Sequence, residues 1–374
     1  MIISPQAPQP YRSLSLFSGA GGLDIGLHQV GFTPLACCEL DRHARATISA
    51  WLEREEVNAP VFTDALQLNP QALLDQFRLQ AGDLDLMFGG SPCQSYSLIG
   101  LRHGLEDARG QLLFEIPKLA AVMQPKVILM EQVKGLLSAP GYDGERGGAL
   151  KELVLRLEAI GYHVRYKVIN TADYGVPQRR QRVFIVAGER PFNFPPPTHA
   201  EDARLDDLFE HRLPYVTVRD VICDLPTPVS KHDPEEITNH RDITPDRDRE
   251  RIEHVPEGQC LAHQLHLSTD LRCRLTAKDT TKFRRLHRDQ PALTLRGGEP
   301  PYHPIEHRYI TPREAMRISG FPDDHELIAP LRGRSGTVKD LDQHRLVANA
   351  VPPPIAAMLG KAIIEQLLPV PVLE

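Results

Sequence analysis

The chain has 374 residues, 41% of them hydrophobic and 25% charged, with a formal net charge of −6. That length supports one large domain with a smaller one, and the composition is that of an ordinary globular protein. No apolar run approaches the roughly 18 residues of a membrane span, and Met1 to Pro10 lacks the positive charge followed by an apolar core that marks a secretion signal.

A cytoplasmic, reducing compartment is therefore expected. The six cysteines include no CxxC pair, which leaves a zinc site little support. The plain reading of each cysteine is a small buried hydrophobe.

In chain order, Ser13 to Phe17 reads as a strand and Gly19 to Gly22 as a turn opening a helix. Pro34 to Cys38 reads as a second strand, and a third ends near Val61-Phe62. Leu84 to Phe88 is apolar and runs into Gly89-Gly90. Leu112 to Val122 and Leu150 to Ile160 have helical spacing, and Val127 to Met130 and Val183 to Val186 are short buried runs. Strands alternating with helices predict an α/β fold, a mostly parallel Rossmann-like sheet covered on both faces.

The pattern breaks at Arg190 to Pro197, where four prolines occur within seven residues and exclude regular helix or central strand. From there the chain is polar and weakly periodic until strong pattern returns at Gln290. This predicts a catalytic and cofactor-binding part over 11–190, a small irregular domain over 191–289, and a return segment over 290–374. Asn349 to Leu368 reads as a helix entered through Pro352-Pro353-Pro354.

Four places carry chemistry. Phe17-Ser18-Gly19-Ala20-Gly21-Gly22 follows a strand, and its glycines let backbone approach a ligand. Glu39, at the end of the next strand, suits the hydroxyls of a ribose, and Asp64 falls at the end of the third. Taken singly, either carboxylate serves equally well as a helix cap or surface charge. Gly89-Gly90-Ser91-Pro92-Cys93-Gln94 puts a thiol at the C-terminal end of an apolar strand, where a nucleophile belongs in this architecture. Ser95 to Gly110, with Ser97, Arg102, His103 and Arg109, looks like a basic lid for a polyanion.

Glu131 ends the strand Val127 to Met130, in the same crevice as Cys93. Gln178-Arg179-Arg180-Gln181-Arg182 enters the strand Val183 to Val186. Alternate residues of an extended chain share a face, which places Arg180 and Arg182 together, and an Arg beside a Glu can orient it. Between Leu271 and Arg296, eight Arg or Lys stand against two Asp, an excess of six in an acidic chain. A basic contact face, including Arg284 and Arg285, is one reading; solvated surface is the other.

Together, Leu14 to Gly22, Gly90 to Gln94, Met130 to Val133, Gln178 to Arg182, Arg308 to Asp323 and Asn349 to Pro353 resemble the successive motifs of DNA (cytosine-5)-methyltransferases. The resemblance spans roughly Ser13 to Leu368 except the region from about Pro191 to Arg288, which in that family is the target-recognition domain. It implies S-adenosylmethionine as methyl donor, with Phe17 on the adenine, Glu39 on the ribose, Asp64 on the adenine amino group, and Gly19, Gly21, Gly22, Pro92, Leu113, Asn349 and Val351 completing the pocket. It implies a flipped cytosine, Cys93 as nucleophile at carbon 6, Glu131 at ring nitrogen 3, Arg182 at the carbonyl, and Arg180 as a further catalytic residue.

It also implies double-stranded DNA as partner, a monomer, and a restriction–modification setting with a cognate endonuclease as functional counterpart. Three residues depart from the family pattern. Gln132 replaces the usual Asn, Ser95 stands where Pro or Ala is commoner, and Ala348 occupies a position usually held by Gly. At positive φ an Ala costs roughly 1 kcal/mol. Two other readings stay open: the tRNA-methylating branch of the family, whose Cys-Phe-Thr signature is not found here, and a catalytically dead homologue that only binds nucleic acid.

Overall fold

The computed structural model describes residues 11–92, 112–142, 144–203, 212–230, 233–234, 236–276, 278–331 and 341–368. It divides into two compact units, one of residues 1–169, 181–196 and 355–374, the other of 170–180 and 197–354. The proline run ends where the second unit resumes at Pro197. The expected return segment is itself divided: 290–354 cluster with the second unit and 355–374 with the first.

The first unit is built on a seven-stranded sheet. Its strands are β1 (Tyr11–Leu16), β2 (Phe32–Cys38), β3 (Val61–Phe62), β4 (Leu86–Gly89), β5 (Val127–Val133), β6 (His163–Asn170) and β8 (Gln181–Gly188). Their order is β3-β2-β1-β4-β5-β8-β6. Neighbours from β3 to β5 run parallel, while β8 is antiparallel to β5, so the predicted mostly parallel α/β sheet is what forms. Between its strands lie α1 (Gly22–His28), α2 (Arg42–Arg54), α3 (Pro70–Phe77), α4 (Glu115–Met123) and α5 (Gly148–Ala159).

The helix starts follow local chemistry. Asp41 caps α2 by accepting from the His43 and Ala44 amides, and Asn69 caps α3 with Pro70 at its first position. One apolar core joins Leu14 and Leu16 of β1 to Met87, Ile128, Met130 and Ile185.

The order places β1 between β2 and β4, so the connections leave the sheet in opposite directions at β1 and β4. In open α/β sheets the crevice outside such a switch point is where ligands bind. The approach of the two strands is unusually close there. A Cβ on Gly89 would lie 2.2 Å from the Leu16 carbonyl oxygen, so only glycine fits.

The second unit carries β7 (Gln178–Arg179) paired with β11 (Ala292–Leu293), and β9 (His199–Ala200) paired with β10 (Leu213–Pro214). Its helices are short: α6 (Arg219–Ile222), α7 (Asp246–Glu253), α8 (Pro312–Ile318) and α9 (Gln343–Asn349). Beside an apolar cluster of Ile252, Val255, Leu261, Tyr302 and Tyr309, the unit holds a largely buried ionic cluster. The Arg308 guanidinium donates to both Glu314 oxygens, at 2.8 and 2.7 Å, and to Glu306 at 2.8 Å. Glu314 in turn completes a capping box with Thr311 at the start of α8.

The last helix, α10 (Pro353–Leu367), is the one expected to be entered through Pro352-Pro353-Pro354; it starts four residues after Asn349, which ends α9. Gly360 lets α10 lie against Leu27, Val30 and Phe32. The segment Gln343–Leu367 is long and apolar enough to cross a membrane, but 67% of its most apolar window is buried inside the protein.

Replacing Gly89 by Ala forces β1 and β4 apart. Overpacking against backbone is expected to cost at least about 2 kcal/mol, read as a lower denaturant midpoint; an unchanged midpoint would show that the two strands do not approach this closely.

Candidate active site

The first unit brings Phe17, Gly19, Gly21, Gly22, Glu39, Pro92 and Glu131 to the C-terminal edge of β1, β2, β4 and β5. Phe17 leaves β1 in the left-handed region, φ 57°, followed by Gly19 at φ 58° and Gly21 at φ 79°. A left-handed aromatic residue costs roughly 1–2 kcal/mol and persists only where the surroundings impose it. Gly21 must remain small, because a Cβ there would meet Ile48 at 2.9 Å, whereas the space above Gly19 is open.

Glu39 closes the loop from the β2 side. Its Oε2 accepts from the Gly19 amide and its Oε1 from the Asp41 amide, both at 2.8 Å. Burial raises its pKa above the usual carboxylate range, and these backbone hydrogen bonds oppose that rise. Each oxygen keeps a further lone pair for a diol. The open glycine turn, the tethered carboxylate and the partly buried Phe17 fit an adenosine-bearing donor.

Asp64 sits at the end of β3 as a cap, accepting from the Leu66 amide at 3.0 Å. Its helix-cap role is therefore real, and it leaves Oδ2 on a weaker contact with Gln67 at 3.3 Å. Leu113 is fully buried in the sheet's core cluster. Asn349 is exposed at the end of α9 and Val351 is buried just beyond it; both belong to the second unit.

Gly90, Ser91 and Pro92 follow β4. Cys93, Ser97, Arg102 and Arg109 lie outside the described residues. The turn that leads to Cys93 is nevertheless well fixed. Gln132, fully buried, donates from Nε2 to the Ser91 carbonyl at 2.8 Å and to Ser91 Oγ at 2.7 Å. The extra methylene of this unusual Gln is spent reaching across to the neighbouring strand end. Successive residues of β5 point to opposite faces, so Glu131 turns the other way.

Glu131 Oε1 lies 3.0 Å from Arg182 Nε, with both side chains largely buried. The N–H does not point along that line, so the contact is an ion pair, and Oε1 has no hydrogen-bond partner among the described residues. In the β5–β8 register Glu131 faces Phe184 and Val133 faces Arg182, which makes Glu131 and Arg182 diagonal neighbours on one face. Gly90 borders the same carboxylate: a Cβ there would come 3.1 Å from Oε2.

Arg180 behaves differently from Arg182. Regular strand stops on either side of it, so strict alternation does not govern the pair. The Arg180 guanidinium donates to the carbonyls of Ala348 at 2.7 Å and Asn349 at 3.4 Å, bracing the end of α9. Ala348 itself lies within α9 and carries no positive φ, so the anticipated strain does not arise.

The basic stretch also needs correcting at one position. Arg285 is buried, its Nη2 donates to the Ile252 carbonyl at 2.6 Å, and burial lowers its pKa. It is a strut of the second unit and not an exposed phosphate contact. Arg284 is half-buried and donates to the carbonyls of Thr280 and Gly258, beside a cavity of about 470 Å³ that Arg179, Phe283 and Arg296 also line. The exposed charges of the stretch include Arg274, Lys278 and Lys282.

Asp24 was missed by sequence reasoning. It lies in the first turn of α1, is 2% exposed, and receives the Cys37 thiol at 3.6 Å. Burial pushes its pKa up to about 6, against hydrogen bonds led by the Ser15 hydroxyl that favour the ionised form. The signal was a carboxylate inside the otherwise apolar run Gly22-Leu23-Asp24-Ile25-Gly26-Leu27. Desolvation likewise raises Cys37, and pushes Cys38 up to about 12, so both remain buried thiols.

A carboxyl whose folded pKa exceeds its unfolded value stabilises below the unfolded value and loses that contribution as pH rises through the folded one. For Asp24 the window runs from about 4 to about 6. Asp24→Asn is therefore expected to raise Tm at pH 8 relative to wild type and to lose that advantage at pH 4; a gain confined to acid pH would refute the burial of this charge.

The family model described as C-5 cytosine-specific DNA methylase matches residues 11–365. Type II methyltransferase M.NgoFVII of Neisseria gonorrhoeae is 33% identical over 94% of this chain and 86% of its own length. M.PspPI of Psychrobacter is 34% identical over 96% and 81%. A solved prophage-encoded chain of E. coli, described as a putative DNA modification methyltransferase, shares the fold with a TM-score of 0.66 at 22% identity, covering 96% of this chain and 99% of that one. With the switch-point loops, the Glu131–Arg182 pair and these likenesses in hand, the chain belongs to the C-5 cytosine-specific DNA methylase family.

Proposed function

We propose that the protein methylates carbon 5 of a cytosine flipped out of double-stranded DNA, with S-adenosylmethionine as donor and Cys93 as nucleophile. The observation that carries this is the meeting of three chain segments at one sheet edge: the Phe17–Gly22 turn with Glu39, the Gly90–Pro92 stem of Cys93, and Glu131 paired with Arg182. The donor, when bound, supplies an electrophilic methyl group on a sulfonium.

Phe17, Gly19 and Glu39 hold the adenosine end, with Asp64 at the third strand end. The base must leave the stack because carbon 6 is unreachable inside a duplex. The Cys93 thiolate adds to carbon 6, which makes carbon 5 nucleophilic. Glu131 hydrogen-bonds ring nitrogen 3 and the exocyclic amine, offsetting the charge that develops on attack. Arg182 orients Glu131 and holds the carbonyl at position 2. After methyl transfer, loss of the carbon-5 proton expels Cys93.

Arg180 acts through the α9 end that carries Asn349, a positioning role. The second unit reads the target sequence. Relatives named Type II methyltransferases favour a restriction–modification setting over tRNA methylation, with a cognate endonuclease as functional counterpart, and the protein works as a monomer in the cytoplasm.

Cys93→Ser is expected to abolish methyl transfer to duplex DNA while leaving DNA binding intact, because a serine hydroxyl has no accessible anionic form near neutral pH. Turnover within tenfold of wild type, or transfer to tRNA in place of duplex DNA, would overturn the reading.

If the basic stretch is a DNA face, its exposed lysines bind phosphates and carry no base information. Replacing Lys278 and Lys282 together with Ala should weaken binding to every duplex and lower the salt slope of log affinity by about 0.9 for each phosphate no longer neutralised. Superimposable salt plots for the two proteins would remove these lysines from the interface.

A further inference from the structure

The turn that carries Glu39 is held by a residue the reaction does not use. Arg45 lies in the first turn of α2, and its Nη1 donates to the Glu39 carbonyl at 3.0 Å and to the Leu40 carbonyl. The Glu39 amide donates to the Phe62 carbonyl of β3 at 2.9 Å, and the Glu39 carboxylate accepts from the Gly19 and Asp41 amides. Every polar group of Glu39 is therefore engaged, and Arg45 is the side chain that reaches its carbonyl.

Two observations set this contact apart from an ordinary surface charge. No acidic residue occupies the first turn of α2, where the helix dipole favours negative charge, so a cation there works against the dipole. Leu40 is 69% exposed, so packing of its side chain does not anchor the turn and hydrogen bonds must. The two hydrogens of Nη1 suffice for one carbonyl each. Arg45 is also a cation acting on the Cys38 thiol, against Glu39 and Asp64, which puts its charge at the acidic ends of β2 and β3.

Peptide planes are rigid, so pinning the plane on either side of a residue sets both of its backbone dihedrals. The plane before Glu39 is pinned through its amide to Phe62, and the plane after it through its carbonyl to Arg45. The direction in which the Glu39 side chain leaves the turn follows. We propose that Arg45 is a positioning residue for the donor site: by holding the Glu39 and Leu40 carbonyls it sets the direction from which the Glu39 carboxylate meets a ribose diol. The inference rests on the donor-site reading above. Without the guanidinium the carboxylate can still accept from Gly19 and Asp41, but its remaining lone pairs no longer converge on two adjacent hydroxyls. The loss falls on the diol and spares the rest of the ligand.

Calorimetric titration of the full chain, without DNA, tests this with S-adenosylhomocysteine and with its 2′,3′-dideoxy analogue. Wild type is expected to bind the analogue about tenfold less tightly or weaker still, the scale of hydrogen bonds to a charged group. Arg45→Met, which keeps an unbranched stem and removes the donors, should lose about tenfold for S-adenosylhomocysteine and less than twofold for the analogue. In a Glu39→Ala background the same substitution should change neither affinity by more than twofold. Equal losses for both ligands, no loss for either, or additive losses in the double variant would each overturn the proposal. Should Arg45→Met not fold, Arg45→Gln, with its shorter arm, carries the same comparison. Wild type that fails to bind S-adenosylhomocysteine, or binds both ligands equally, overturns the donor-site reading instead, and this inference with it.

Discussion

The backbone contact between Leu16 and Gly89 governs the rest of the active site. Two parallel strands approach until a single methyl group cannot fit between them, and the chain leaves both at the same sheet edge. One exit becomes the turn at Phe17, the other the stem of Cys93. The two chain segments proposed for the donor and the nucleophile are thereby brought side by side by main-chain packing before any side chain contributes. β5 then adds Glu131 one strand further along.

The polar groups around this edge are largely held by backbone. Glu39 is gripped by two amides, and Gln132 grips a carbonyl and a hydroxyl. Such contacts lock rotamers without consuming all the hydrogen-bonding capacity of the group, since carboxylate oxygens retain lone pairs. Glu131 is the contrast. Among the described residues its Oε1 meets a misaligned arginine and no hydrogen-bond donor, so a buried acceptor is kept available at the point where charge is expected to develop.

Much of the first unit was legible in the sequence because parallel strands buried on both faces appear as apolar runs. β1, β2, β4, β5 and β8 all announce themselves by such runs, each within a few residues. β6 does not, since His163, Arg165 and Tyr166 expose an edge strand whose polar residues hide the signal. Glu39 and Glu131 stand out because each ends an apolar run, Glu39 just beyond β2 and Glu131 two residues before the end of β5. The inward turn of Arg285 was not legible: charge counts do not show which guanidiniums are already bonded to carbonyls. The same limit hid the different fates of Arg180 and Arg182, because a strand interruption of one residue leaves no mark in composition.

The Arg308–Glu314–Glu306 cluster separates two salt responses that are often confounded. Its Arg308 and Glu314 charges are buried in the second unit, where mobile ions screen poorly, while Glu306 is partly exposed; phosphate contacts on a surface weaken steeply with added salt. Rising ionic strength is therefore expected to weaken surface contacts with phosphates far more steeply than it weakens the buried Arg308–Glu314 pair.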